Sequence, residues 1–320
     1  MGHKQLTQEQ RYHISSLASA GLFQKAIADA VGVHKSTISR ELRRNRGDRG
    51  YRPTQAQGKA NFRRKGARKR IKLTDELKQF IASKIEEKWS PDQISGLLKK
   101  QKKENVSRER IYQFLLEDKK SGGTLYTHLR HSGKKRKKRY GSPDRRGQIK
   151  NRVSIDERPK IVEKKRRIGD WEGDTIIGKK QQKAIVTLVD RATKLTLIGK
   201  VGTKHADVVS KIIIELLSPY KEISHTMTID NGTEFSWHEK ISEALGIATY
   251  FAHPYSSWER GLNENTNGLI RQYIKKGSSF DDLSEDEILR IQNQLNDRPR
   301  KILGYRTPRE VFEEAIRLSG

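Results

Sequence analysis

The feature that most constrains this chain is a pair of acidic residues in its second half. Asp230 ends an apolar run that reads as a strand, Glu264 stands in the first turns of a helical stretch, and 33 residues separate them. A helix, a second strand and a turn fit within that interval, and this order folds both acids to one edge of a sheet. The spacing therefore predicts an α/β domain with Asp230 and Glu264 close together.

Further acids lie upstream, in the segment 170–178. Asp170, Glu172 and Asp174 alternate along an expected strand, so their side chains share one face. Three converging carboxylates suit hard cations such as Mg²⁺, which take few protein ligands and leave other positions to water and phosphate. The pattern favours a metal-dependent enzyme that acts on DNA phosphodiesters. Three more acids near strand ends or turns are alternatives, namely Asp190, Glu234 and Glu259.

The positive charge of the chain is concentrated in its first half. The net charge is +28, and residues 1–150 hold 39 Lys and Arg against 14 Asp and Glu, whereas residues 151–320 hold 28 against 25. A solvated, self-repelling surface is one interpretation of that excess. A polyanionic partner is the more economical one, and it assigns nucleic-acid binding to the first half.

Composition also excludes several classes of protein. The chain has no cysteine, which removes disulfides and thiolate zinc sites and fits a reducing compartment. No apolar run approaches the roughly 20 residues that a membrane span requires, and the first residues show no secretory signal. We therefore expect a cytoplasmic protein.

Three short helices are expected within residues 1–48. Thr7 and Gln10 have the spacing of a capping box for a helix that runs to Ser19. A second helix is expected from about residue 23 to 31, and a third from 35 to 44. The chain thus opens with a small all-α domain.

The second and third helices have the packing pattern of a helix-turn-helix. Ala28 allows close approach, Gly32 permits the tight turn, and Ile38 anchors the third helix inward. An ordinary three-helix bundle with a basic face is the alternative. The outward hydroxyls and cations suit base edges and phosphates in a major groove, and they are Lys35, Ser36, Thr37, Ser39, Arg40, Arg43 and Arg44.

A second helical module is expected at residues 73–120, after a basic linker at 49–72 that lacks helical periodicity. Its last helix carries Arg108 and Arg110 outward, which makes it a weaker helix-turn-helix candidate. Residues 121–166 read as another basic linker. We expect the run that begins with Lys134, Lys135 and Arg136 to lie along phosphates or to be solvated.

From residue 167 the pattern changes to short strands and helices. Three β-rich runs precede a helix at 205–217, whose stripe of Val208, Ile212 and Leu216 is expected to face a core. A strand, a helix, a strand and the Glu264 helix follow. We infer a ribonuclease-H-like domain at 167–280 and a C-terminal helical extension at 281–320, so the fold class is multidomain, all-α then α/β.

The chain resembles bacterial insertion-sequence transposases of the DDE class, in the superfamily of retroviral integrases, and most closely the IS-thirty family. The resemblance covers nearly the whole chain. It rests on Trp171–Asp174, on the segment 228–235, on the segment 257–268 and on the interval between Asp230 and Glu264. Arg271 follows Glu264 by seven residues, which is two helical turns.

The resemblance implies that Asp174, Asp230 and Glu264 bind two Mg²⁺ ions, with Mn²⁺ as a substitute. Water cuts DNA at an element end, and the released 3′-hydroxyl attacks target DNA. The partners are double-stranded DNA, at terminal inverted repeats and target sites, and further copies of the chain in a homodimer or larger oligomer. Such a protein joins the bacterial nucleoid when bound to DNA. Arg271 and Lys275 are expected to contact DNA beside the metal site.

Several alternatives remain from the residues themselves. Glu172 is the main rival of Asp174 for the first acid. His253 is expected to be structural or to face DNA, because hard cations favour oxygen ligands. Trp171 and Trp258 are expected in a core or at a rim, although Trp258 could stack on a base. A DNA-binding regulator without catalysis and a nuclease without strand transfer are the competing functions.

Overall fold

The computed structural model describes residues 5–66, 73–101, 105–130, 149–179, 183–254 and 256–319. The chain divides into two compact units, residues 1–71 and 72–320. Across the described ranges, every helix is too short or too polar to cross a membrane.

The first unit begins with the three helices that the sequence predicts. They are α1 (Gln8–Ser19), α2 (Gln24–Val31) and α3 (Lys35–Asn45). The capping box of Thr7 and Gln10 forms, and Gly32 ends α2 in the left-handed conformation that glycine adopts without strain. Ile38 is fully buried against Ile14 and Ile27. The expected helix-turn-helix packing is confirmed.

A fourth helix, α4 (Pro53–Gly66), lies in the segment that we interpreted as a linker. That interpretation is wrong for these residues. Only Ala56 is buried, so α4 has no apolar stripe to reveal it. Polar contacts hold it instead, since Arg11 donates to Gln57 Oε1 at 2.7 Å and Lys59 donates to the Arg46 carbonyl at 2.8 Å.

The second unit opens with the expected helical module. It comprises α5 (Asp75–Glu86), α6 (Pro91–Lys100) and α7 (Arg108–Lys120), each preceded by a hydroxyl residue that caps its first turn. Ile81, Ile94 and Ile111 form its buried centre. A short 3₁₀ helix, Leu125–His128, packs on the same core through Leu125 and Leu129.

Both ends of the predicted linker at residues 121–166 therefore have tertiary contacts, which corrects that interpretation. After Leu125–His128, the described chain resumes at residue 149. The Val153 carbonyl then accepts from Phe251 N at 2.9 Å, and Arg158 donates to Thr228 Oγ1 at 2.7 Å. The short helix α8 (Lys160–Glu163) follows. These contacts attach the segment to the sheet below.

The sheet has five strands, β1 (Asp170–Ile177), β2 (Ala184–Asp190), β3 (Thr196–Val201), β4 (Thr226–Ile229) and β5 (Ala248–Phe251). Their order is β3-β2-β1-β4-β5. β1, β2 and β3 pair antiparallel, whereas β1–β4 and β4–β5 are parallel. This is the ribonuclease-H-like arrangement that the sequence predicts.

Helices cover both faces of the sheet. α9 (Ala206–Leu217) and α10 (His238–Leu245) pack on one face, and α11 (Gly261–Ile270) and α12 (Glu285–Asn296) pack on the other. The buried stripe of α9 is Val209, Ile213 and Leu217. The predicted stripe, Val208, Ile212 and Leu216, is only partly buried beside it, so that prediction was one residue out of register.

The C-terminal helices are part of the domain and not an extension of it. Phe312 of α13 (Pro308–Ser319) is buried beside Trp171 in the core on the α9 face. Asn296 of α12 bonds both Thr196 N and Thr196 O at 2.8 Å. α12 thereby covers the exposed backbone of the edge strand β3, which would otherwise be open to pairing.

Candidate active site

Two of the three predicted acids lie side by side because of how β1 pairs with β4. The strands are parallel, with Glu172 opposite Thr228. Two residues further along each chain are Asp174 and Asp230. Neighbouring strands lie about 4.8 Å apart, so this register brings the two carboxylates together at one end of the sheet.

One guanidinium joins these carboxylates. Arg260 Nη1 lies 3.4 Å from Asp174 Oδ1, and Arg260 Nη2 lies 3.3 Å from Asp230 Oδ2. Arg260 belongs to the 3₁₀ helix Ser257–Arg260 that leads into α11. Its side chain is 14% exposed. The pair of acids therefore has a counter-ion supplied by the chain itself.

Further donors fix the two carboxylates. Asn267 Nδ2 donates to Asp174 Oδ2 at 2.8 Å, and Thr175 N donates to Asp174 Oδ1 at 2.9 Å. Gly232 N donates to Asp230 Oδ1 at 2.8 Å. Burial raises the pKa of the Asp174 carboxyl, Arg260 opposes that shift, and the Asp230 carboxylate adds to it. Proton and cation thus compete at Asp174.

Glu264 lies on α11 as predicted, with an exposed side chain. Across the described residues, no group of three or more His, Asp or Glu side chains is arranged to hold a metal ion. The structure therefore brings Asp174 and Asp230 together without Glu264. Carboxylate oxygens of the two aspartates still match a hard cation, and Arg260 shows that positive charge is held between them.

The rival acids each have a different partner. Glu172 is buried in an ion pair with Arg191 at 2.7 Å and accepts from Asn263 N at 3.3 Å. Burial raises the pKa of Glu172, and Arg191 opposes the shift. Asp190 accepts from Gly169 N and Thr193 N in the turn after β2. These contacts give Glu172 and Asp190 structural roles.

The other three acids are similarly engaged. Asp170 accepts from Thr226 Oγ1 at 2.7 Å, and Glu234 pairs with Lys204 at 2.9 Å. Glu259 accepts from the ring of His253 at 2.8 Å.

His253 also bonds Asp156 through Nε2 at 3.0 Å. The carboxylates of Glu259 and Asp156 together raise the pKa of the His253 imidazole. It holds a loop, as the structural interpretation expects. Trp171 is fully buried and donates to Ser224 Oγ at 3.0 Å. Trp258 is 75% exposed at the rim. Its possible stacking on a base stays a prediction.

Arg271 is the C-cap of α11, one residue beyond the helix end. Its guanidinium donates to the Ile177 carbonyl at 2.9 Å and to the Lys275 carbonyl at 3.4 Å. The side chain thus ties the end of β1 to the turn after α11. Lys275 is exposed. DNA contact by either residue stays a prediction.

Most residues expected to bind DNA are exposed on their helices. In α3, Ser36 and Thr37 are half-buried and the other five are exposed, and Ser36 Oγ bonds His34 Nδ1 at 2.9 Å. In α7, Arg108 is exposed, but Arg110 is paired with Glu117 at 2.9 Å. Lys134, Lys135 and Arg136 lie outside the described residues.

Sequence reasoning missed Arg260 and Asn267 as parts of this site. Arg260 precedes Glu264 by four residues and Asn267 follows it by three, so each is about one helical turn from Glu264. That spacing is a usable signal. It does not say that both side chains turn toward Asp174.

Comparison with known proteins adds independent information. A model of a helix-turn-helix domain matches residues 3–45. The transposase for insertion sequence element IS4351 of Bacteroides fragilis is 47% identical over 315 residues, covering 98% of this chain and 97% of that protein. The transposase InsI for insertion sequence element IS30A of Escherichia coli K12 is 37% identical, covering 98% and 85%.

Among solved structures, the catalytic core domain of BIV integrase aligns with 47% of this chain and 97% of its own. The identity is 22% and the TM-score is 0.38, a likeness too loose to add to the strand order itself. The full-length similarity is decisive, since it spans both the helical half and the sheet. The chain belongs to the IS-thirty (IS30) family of insertion-sequence transposases.

Proposed function

We propose that this protein is a DDE transposase that cuts the ends of an insertion sequence and joins them to target DNA. The observation that carries the proposal is the placement of Asp174 and Asp230 on adjacent parallel strands, within reach of a single guanidinium. Membership of a transposase family supports it. The helix-turn-helix at residues 3–45 fits recognition of terminal inverted repeats.

The proposed reaction has two displacements at phosphorus. In the first, a water oxygen bonds to the phosphorus at the element end, and the bond to the 3′-oxygen breaks, which leaves a 3′-hydroxyl. In the second, that hydroxyl oxygen bonds to a target phosphorus, and a target 3′-oxygen leaves. The nucleophiles are water and a DNA hydroxyl, so no side chain needs to form a covalent intermediate.

We propose that Asp174, Asp230 and Glu264 hold Mg²⁺, in two ions per site. When bound, such ions lower the pKa of water and offset charge on the phosphate. Glu264 is exposed and is free to turn toward the aspartates when DNA is present. When another positive charge neutralises Asp174 and Asp230, the Arg260 guanidinium becomes available to bind phosphate oxygens.

The proposed DNA contacts follow the charge of the chain. The exposed cations of α3, among them Lys35, Arg40, Arg43 and Arg44, face away from the buried Ile38. Such a face fits a major groove and its phosphates. Two element ends must be handled together before joining, which favours a homodimer or larger oligomer as the active form.

The test of this function uses the full-length protein, Mg²⁺ and labelled duplexes that carry the element's terminal repeats. We expect nicked ends and joined products. Asp230→Asn removes about 4 kcal/mol of transition-state stabilisation if it ligates the cation, which corresponds to a loss of about 1,000-fold in cutting and joining. DNA binding without metal should be unchanged.

The matched control is Glu243→Gln, which neutralises an exposed acid on α10 and should leave both reactions intact. If the wild type binds element ends but neither cuts nor joins them, the protein is a DNA-binding regulator without catalysis. Cutting without joining would leave the nuclease.

Arg271 gives a second test of the site. Arg271→Glu loses the bond to the Ile177 carbonyl and places a carboxylate beside the approaching DNA. We expect end binding without metal to be close to wild type and joining to fall about 100-fold, with Arg271→Lys intermediate. Wild-type joining rates in a stably folded Arg271→Glu protein would assign Arg271 no part in the reaction.

A further inference from the structure

A cavity of about 510 Å³ lies within the second unit, between the helical module α5–α7 and the sheet domain. The module contributes Lys88, Trp89 and Tyr112, among others, and the sheet domain contributes residues of α11 and of the segment after α12. Four of its described lining residues are cationic and none is acidic. The four are Lys88, Arg130, Arg298 and Arg300.

The hydrogen-bond partners of these cations are neutral. Arg298 donates to Gln272 Oε1 at 2.9 Å and to the Tyr273 hydroxyl at 2.5 Å. Arg300 donates to the Leu295 carbonyl at 3.0 Å. Such bonds satisfy donors but pair the charges with no carboxylate, and Glu87 acts on Arg298 only from beyond ion-pair distance.

The other two cations, Lys88 and Arg130, also have uncharged hydrogen-bond partners. Lys88 Nζ lies 2.8 Å from His128 Nδ1, and Arg130 donates to Asn265 Oδ1 at 2.9 Å. No ion pair is formed by any of the four with the described acids of the chain.

Two of these guanidiniums also have a buried N–H donor that lacks a hydrogen-bond acceptor among the described residues. Arg298 is 1% exposed, and its Nε is without a hydrogen-bond partner among the described residues, as is Nε of Arg300. Burial lowers the pKa of Arg300 to about 10, and Arg298 contributes to that shift. Buried like charges repel each other, so an anion in the cavity would relieve a cost that the folded chain now bears.

The backbone is shaped to bring these cations close. A Cβ on Gly268 of α11 would lie 2.3 Å from Arg130 Nη2, so the guanidinium lies directly against the helix at a position without a side chain. Lys88 has a positive φ of 69°, a conformation that favours glycine, and it follows the C-cap of α5 at the cavity. The end of α5 and the Gly268 position of α11 thus place Lys88 and Arg130, two of the four cations.

The position of the cavity relates it to the acids. Asn265, which lines it and holds Arg130, directly follows Glu264 in α11. Consecutive residues of a helix have Cα atoms about 3.8 Å apart and project about 100° from each other, so Glu264 and the cavity-lining Asn265 lie on adjoining sides of α11. A DNA strand that reaches Glu264 therefore has neighbouring phosphates near these cations.

We propose that this cavity binds a phosphate group of the DNA strand that is processed beside Glu264. The inference rests on the proposed function for its ligand. Guanidinium and ammonium groups without carboxylate partners are what a phosphodiester requires, since arginine forks pair with its oxygens and lysine adds a point charge. The helical module thereby contributes to the grip on the reacting strand and not only to end recognition.

The test is DNA binding by the full-length protein in EDTA, so that catalysis plays no part. The probe is a fluorescent duplex with the element's terminal repeat and a single-stranded 3′ extension, titrated over a range of salt. The double variant Lys88→Gln with Arg130→Gln should bind about tenfold more weakly. The slope of log K against log salt should fall in magnitude by about 1, as expected for one lost phosphate contact.

The control double variant, Lys211→Gln with Lys221→Gln, removes the same charge from exposed positions outside the cavity. It should bind as the wild type does. Lys88→Gln alone should show about half of the change in slope, and it leaves the Arg130 contact with α11 intact. Tryptophan fluorescence, which reports only on residues 72–320, checks that each variant is folded.

Equal affinity and slope for the cavity variants and the control would overturn the proposal. So would a loss that is independent of salt, which indicates altered folding and not a lost phosphate contact. Neither outcome bears on cutting and joining, which are measured separately with Mg²⁺. A wild type that fails to cut element ends would refute the proposed function and leave the cavity to be judged by these titrations.

Discussion

The two sides of helix α11 differ in how their charge is balanced. On one side Asn267 bonds Asp174, and Arg260 joins Asp174 to Asp230. On the other side Asn265 bonds Arg130 at the mouth of the cationic cavity. Asn265 and Asn267 are two positions apart, so their side chains project about 200° from each other around the helix. α11 therefore separates an acidic site from a cationic one.

The difference lies in the counter-ion. The acidic side carries its own cation, so the chain can fold there without a ligand and exchange Arg260 for another positive charge later. The cationic side has four charges and only neutral partners among the described residues. At the acidic site a metal ion must displace Arg260 before it can bind. At the cationic site an anion displaces no charged group, so its binding stabilises the folded state directly.

The largest effect is expected for the most buried charges on the acidic side. Glu172→Gln removes the nearer of the two carboxylates that contact the buried Arg191 and leaves only Glu163, at 3.4 Å, so it should lower the free energy of unfolding by about 3 kcal/mol. Urea denaturation followed by tryptophan fluorescence measures this. Replacing both residues by methionine should restore most of the loss. A change below about 1 kcal/mol in the single variant would mean that this pair adds little to the attachment of β1 to the turn after β2.

An intermediate effect is expected for the cation that balances the acids. Arg260→Gln leaves Asp174 and Asp230 facing each other, and in EDTA it should lower the free energy of unfolding by about 1.5 kcal/mol. Millimolar Mg²⁺ should narrow that gap, because a cation that binds only the folded state replaces the lost charge. Parallel denaturation curves in EDTA and Mg²⁺ settle the point. If the difference in free energy of unfolding between wild type and Arg260→Gln is the same in EDTA and in Mg²⁺, a metal ion does not replace Arg260 at the acidic site.

The smallest effect, of opposite sign, is expected in the cavity. Lys88→Gln relieves repulsion among the four cations, so it should raise the free energy of unfolding by roughly 0.5 kcal/mol at low salt. The gain should shrink at 1 M salt, where the Debye length is about 3 Å and repulsion between the cations is strongly screened. Lys211→Gln, at an exposed position on α9, should show no such gain. Destabilisation by Lys88→Gln at every salt concentration would show that the cavity is balanced without an anion.

Sequence alone determined the elements whose signals are local. Thr7 caps α1 as expected, and Ser90 and Ser107 cap α6 and α7, because a hydroxyl satisfies donors only a few residues away. The run Ala184–Asp190 is a strand buried along its whole length. Asp174 and Asp230 are brought together as expected, since the strands that place them are neighbours in the sheet. The joining of Glu264 to them stays a prediction.

Only the tertiary structure decided the features that depend on distant partners. α4 is held by polar contacts with α1 and the segment after α3, so its own sequence shows no stripe. Arg260 finds its carboxylates 30 and 86 positions away, on two strands. The cavity gathers cations from the turn after α5, the segment after α7 and the turn after α12, and each of them reads locally as a solvated surface charge. Capping and periodicity act within a few residues, whereas charge balance is set by which segments the fold brings together.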